Sequence, residues 1–139
     1  MIGFVIATHG IFSNGIIDAI NLIMGKQENV KCLNLNHGDN IDEFGKKIQN
    51  AIIECNQNNE GVVIFTDLFG ASPYNQSVQC YKKVGAIKYK LITGLNLPML
   101  IEAFAARMSG GDLEAVKNAA LSAGQSGIKE FFDELTKVK

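Results

Sequence analysis

Six apolar residues in unbroken succession, Ile2 to Ala7, stop abruptly at Thr8-His9-Gly10. A run without polar alternation is what a β-strand shows when both of its faces are covered, so it calls for a sheet with helices on either side. The run falls far short of the ~18 apolar residues of a membrane span and has no basic segment before it. It therefore predicts a buried first strand rather than a secretion signal.

Short apolar runs and helical periods alternate through the rest of the chain. Ile16, Ile17, Ile20, Ile23 and Met24 recur at helical spacing with Gly25 as a stop, and Val30 to Leu35 is the next strand. Asn40 followed by Glu43 resembles a capping box, and it opens a stripe from Ile41 through Phe44, Ile48 and Ile52 to Cys55. Asn56 to Glu60 reads as a loop and Gly61 to Thr66 as a third buried strand. Ser72-Pro73 reads as an N-cap followed by proline at the first helical position, with a helix to about Lys83. Ile87 to Ile92 is a fourth strand, whose Lys88 and Lys90 suggest a less enclosed edge. Helices follow from Asn96 to about Met108 and from Asp112 to about Gly124. Ile128, Phe131, Phe132 and Leu135 suit a further helix that Gly124 and Gly127 interrupt.

With no linker or repeat, residues 1–139 form a single domain. The order β-α-β-α-β-α-β-α-α implies an open, mainly parallel, doubly wound α/β sheet with right-handed crossovers and helices on both faces. In the order 2-1-3-4 the first strand lies between the second and third. The loops beginning at Thr8 and Thr66 then face one another where the winding reverses, at the carboxyl ends of the strands, and they carry His9 and Asp67.

Adjacent strands are ~4.8 Å apart, so a carboxylate ending one reaches an imidazole ending the next. Such a carboxylate holds the proton on Nδ1 and leaves Nε2 free as a nucleophile. The plainer reading is a histidine that closes the strand by bonding a backbone carbonyl. In Asp67-Leu68-Phe69-Gly70-Ala71-Ser72-Pro73, Gly70 and Ala71 admit a ligand to backbone N–H groups, and Ser72 stands at a helix N-terminus, which favours anions. For Ser72 alone, a turn with a good cap is the plainer reading. Thr93, Gly94 and Asn96 fall in the loop after the fourth strand, where they are placed to line the same cleft, and a helix cap explains Asn96 equally well. His37, in Asn36-His37-Gly38-Asp39, lies beside an outer strand and reads as a solvated turn residue.

A formal net charge of −1 argues against a nucleic-acid binder. Two histidines without clustered cysteines or carboxylates give no metal centre, and no phosphate-loop or dinucleotide fingerprint is present, so no cofactor is expected. Cys32, Cys55 and Cys80 fit no ligand spacing and read as thiols of a reducing, cytoplasmic compartment.

Three segments taken together carry a resemblance. Ile6-Ala7-Thr8-His9-Gly10, Thr66-Asp67-Leu68-Phe69-Gly70-Ala71-Ser72-Pro73-Tyr74-Asn75 and Gly94-Leu95-Asn96-Leu97-Pro98-Met99-Leu100 look like the IIA component of the mannose-type sugar phosphotransferase system. The likeness runs from the first strand to about Lys129. It implies a phosphoryl carrier of sugar uptake. His9 would accept phosphate on Nε2 from phosphorylated HPr, and Asp67 would orient it. Ser72, Gly70, Ala71 and Thr8 would form the phosphate-facing wall. The acceptor would be a IIB component, expected on a separate chain, serving membrane components IIC and IID. It also implies a homodimer in which an antiparallel C-terminal strand, here Gly127 to Phe131, crosses to the partner subunit.

Three other readings compete. The phosphotransfer subunit of dihydroxyacetone kinase resembles this fold and places a histidine similarly, though the Phe69-to-Asn75 run looks more like the sugar-transport branch. A Ser/His/Asp hydrolase would use Ser72, His9 and Asp67, but Gly-Ala-Ser-Pro is not a nucleophile elbow. A binding module of flavodoxin-like shape would not need His9 at all.

Overall fold

The computed structural model describes residues 1–138. The elements run β1 (Gly3–His9), α1 (Phe12–Met24), β2 (Val30–Leu35), α2 (Ile41–Cys55), β3 (Val62–Thr66), α3 (Ser72–Gln79), β4 (Tyr89–Ile92), α4 (Leu97–Met108), α5 (Leu113–Ser126) and α6 (Phe131–Lys137). The four strands form one parallel sheet in the order β2-β1-β3-β4. No helix among the described residues is long and apolar enough to cross a membrane.

Alternation along the strands divides the core in two. Phe4 and Ile6 of β1 and Val63 and Phe65 of β3 face α1, α4 and α5, where Ile20, Leu100, Phe104 and Val116 meet them. Val5, Ala7, Val62 and Ile64 point the other way, onto Phe44, Ile48 and Ile52 of α2. Burial of successive residues on opposite faces is why β1 and β3 read as continuous apolar runs. Phe4 sits at the middle of the first layer, edge-on to Phe65 at 5.4 Å and to Phe104 at 4.7 Å.

The expected capping box appears in part, with the Asn40 side chain accepting from the Glu43 N–H at 2.9 Å. Three boundaries depart from the sequence reading. Ala71, not Ser72, is the last extended residue before α3 (φ −87°, ψ 175°), so Ser72 is the first helical residue and makes no capping bond. That helix stops at Gln79 and gives way to a 3₁₀ turn at Cys80–Lys82. β4 begins at Tyr89 rather than Ile87, because Gly85 (φ +65°) and the Ile87 N–H bond to Val84 O spend that stretch on a turn.

The tail also differs. Among the described residues no fifth strand forms, since Ile128–Glu130 finds no ladder partner within one chain. Glu130 accepts from the Asp133 N–H at 2.8 Å, and this cap starts α6 at Phe131, inside the stretch expected to be a strand.

Candidate active site

β1 and β3 are paired through Ala7 and Thr66, so the next residues of each strand lie side by side at the carboxyl edge. Asp67 Oδ2 accepts from the His9 backbone N–H at 3.0 Å and lies 2.9 Å from His9 Nδ1. An ionised carboxylate only accepts, so Nδ1 carries the hydrogen and Nε2 presents its lone pair. The His9 side chain is 48% exposed and that of Asp67 15%. The carboxylate is sheltered while the imidazole stays open to a reactant. Among the described residues no group pairs with Asp67 Oδ1, so both of the carboxylate's contacts to His9 run through Oδ2.

The remaining candidates separate. Thr8 is fully buried and its Oγ1 accepts from the Ser13 N–H at 2.9 Å, so it points into α1 and away from the side of the sheet that His9 occupies. That bond replaces the cap that Ile11, an apolar residue at the head of α1, cannot supply. Gly70 has φ +78° and is exposed, which lets the chain turn without a side chain in the way. Asn75 Nδ2 holds this turn by donating to Gly70 O at 2.8 Å. The Ala71 N–H donates to Leu68 O at 3.3 Å and so belongs to the turn. Ser72 is half-buried at the head of α3, and among the described residues no hydrogen bond joins it to His9. His37 stands exposed in a turn closed by the Asp39 N–H on Asn36 O, beside the outer strand β2.

Two features were missed from sequence. Ile11, Phe12, Leu68 and Phe69 are all exposed, in or beside the loops that follow β1 and β3, and they form an apolar collar at the His9 edge. Phe69 is braced by Tyr74, with ring centroids 4.9 Å apart. Loop hydrophobics carry no periodicity, so nothing in the sequence separated these from core residues. The second is a chain of polar side chains, Ser13 to Asn34 to Asn14, tying the start of α1 to β2.

Comparison with known proteins concerns the chain as a whole. The family model for the PTS system fructose IIA component matches residues 3–121. The PTS system mannose-specific EIIAB component of Escherichia coli (strain K12) is 30% identical over 128 residues, covering 92% of this chain and 39% of that protein. The chain thus spans about two fifths of the length of that curated relative. Among solved structures, the phosphotransferase system component EIIA from Streptococcus agalactiae superposes with a TM-score of 0.86 at 29% identity, covering 96% of this chain and 99% of that one. The PTS IIA protein associated with the fucose utilization operon from Streptococcus pneumoniae gives 0.81 at 27% identity, over 96% and 95%.

Proposed function

We infer the function from one premise and one geometry: the chain belongs to the family of PTS system fructose IIA components, and His9, the only histidine held by a carboxylate among the described residues, opens its Nε2 side to solvent. Membership makes it a phosphotransfer component of a sugar phosphotransferase system. The finer proposal is that His9 is the phosphoryl carrier. Its Nε2 attacks the phosphohistidine of HPr; the new N–P bond forms as the donor's N–P bond breaks, and the donor imidazole keeps the electron pair. Asp67 supports the step by holding the Nδ1 proton as positive charge grows on the ring. The same group then passes to a IIB component, which serves the membrane components IIC and IID.

Gly70 and Ser72 belong to the proposal as the wall that faces the phosphoryl oxygens. Ser72 fits because its hydroxyl is not used as a cap and the head of α3 favours anions. Transfer of this kind needs positioning and shelter from water but little other machinery. A homodimer in the cytoplasm is part of the same reading, and the exposure of Phe131, Phe132 and Leu135 along one short helix supports a partner for the tail.

The carrying observation is the pairing of His9 with Asp67. Incubation with phosphorylated HPr should label the protein with an acid-labile, base-stable phosphate, and His9→Ala should abolish the label. Labelling of that variant at the unchanged rate would remove His9 from the role.

A further inference from the structure

At the sheet edge opposite His9, near the start of β1, Arg107 is only 8% exposed. Its Nη1 donates to Ile2 O at 3.0 Å, and its guanidinium lies over the rings of Phe4 (4.8 Å) and Phe104 (5.0 Å). Among the described residues no carboxylate pairs with it within 4.0 Å. A guanidinium has five N–H donors, and here only one direction is used by the protein. The group lines a cavity of about 340 Å³, with Met1, Met24 and Met108 as apolar walls and Lys26 and Glu28 among its other lining residues.

A largely buried cation with no carboxylate in direct contact, Glu28 acting only from a distance, is costly unless something further satisfies it. The ring faces and one carbonyl do part of this. Burial still holds the guanidinium below its ordinary pKa, with Glu28 opposing. The chain's N-terminal amine is already paired with Glu60 at 3.0 Å and adds nothing to the cavity. Arg107 and Lys26 against Glu28 leave a formal surplus of one positive charge, which matches a monoanion better than a phosphate dianion. The volume is at the small end of ligand sites, and methionines adapt to irregular apolar shapes. By contrast, the larger cavity beside β4 is lined by Lys90 and Glu114, which pair with each other, and by Asp112, which caps α5.

We propose that the Arg107 cavity is a second binding site, for a small monocarboxylate whose carboxylate forks onto the guanidinium and whose short apolar tail lies against Met1, Met24 and Met108. The site is independent of phosphoryl transfer at His9, since the two stand at opposite ends of β1. The test is titration of the full chain with hexanoate, followed by NMR of the methionine methyls and the Arg107 side chain. Saturable shifts centred there are expected, with acetate and inorganic phosphate binding more weakly and hexylammonium giving none. Arg107→Lys should weaken hexanoate about tenfold by removing the fork. Lys26→Glu, at an exposed position that leaves the fold alone, should weaken it comparably. Failure to saturate, an equal response to hexylammonium, phosphate or acetate, or shifts centred on His9 would each overturn the proposal. So would unchanged affinity in a folded Lys26→Glu protein.

Discussion

Asp67 touches His9 twice through a single oxygen: Oδ2 accepts the His9 backbone N–H at 3.0 Å and meets its Nδ1 at 2.9 Å. The backbone bond sets where the carboxylate sits and the ring bond sets which nitrogen faces outward. Orientation and tautomer thus come from one group.

Replacing that group separates the two effects. Asp67→Asn keeps an oxygen for the backbone N–H but removes the charge that, in the proposed carrier role, stabilises the ring as it becomes cationic. We expect phosphoryl acceptance from phosphorylated HPr to fall by about 10² or more while the fold is retained. Single-turnover labelling beside circular dichroism measures both. An unchanged rate in a folded variant would deny Asp67 any part in positioning.

Much of this site was legible because buried parallel strands lose polar alternation, which exposed β1 and β3 and placed His9 and Asp67 at their ends. Thr8 misled for an instructive reason. A hydroxyl next to a candidate nucleophile looks like a phosphate ligand, yet neighbouring strand residues point to opposite faces, and Thr8 went to α1. At Ser72 the Ser-Pro pattern reads as a cap before the helix, but the extended backbone of Ala71 starts α3 one residue earlier. In the tail the helical spacing of Phe131, Phe132 and Leu135 is met by α6, which the Glu130 cap starts, whereas a strand at Gly127 to Phe131 needs a neighbour that one chain does not offer. The collar stayed hidden because exposure of loop hydrophobics is a tertiary property.

Two glycines test the packing with opposite signs. A Cβ on Gly3 would lie 2.4 Å from both Cβ and O of Cys55, where β1 passes the end of α2. Backbone must move to admit it, so Gly3→Ala should cost about 1–3 kcal/mol. A Cβ on Gly15 meets nothing within 4 Å and lies inside α1, so Gly15→Ala should stabilise by about 0.5–1 kcal/mol. Urea unfolding of the pair gives both numbers, and equal effects would refute the close approach.

The collar makes a kinetic prediction that depends on the proposed carrier role. Ile11 and Phe69 are 76% and 73% exposed beside the site, so their replacement leaves the core intact. Ile11→Gln and Phe69→Ser should leave stability within about 0.5 kcal/mol. If the partner proteins dock on the collar, each should raise the half-saturating concentration of phosphorylated HPr about tenfold. Because apolar docking is poorly screened, added salt should change the unmodified protein's value little. A strong salt dependence with no effect of either substitution would place the docking surface elsewhere.

Alkaline conditions probe the second core layer. Burial pushes the Cys55 thiol up from 9.0 to about 11, and burial pushes the Tyr89 hydroxyl up from 10.0 to about 12. Both groups are acids kept neutral by the fold, so they favour the folded state fully below their unfolded values. That contribution is lost as pH rises through the folded ones. Tyr89 loses its bond as well, since its OH donates to Ser77 O at 2.7 Å. Stability should therefore decline from pH 9 upward, through the windows 9.0 to about 11 for Cys55 and 10.0 to about 12 for Tyr89. Cys55→Ala should flatten the first window and Tyr89→Phe the second, each at some cost near neutrality. Urea midpoints across that range decide the matter, and a decline that both variants share in full would assign it to other groups.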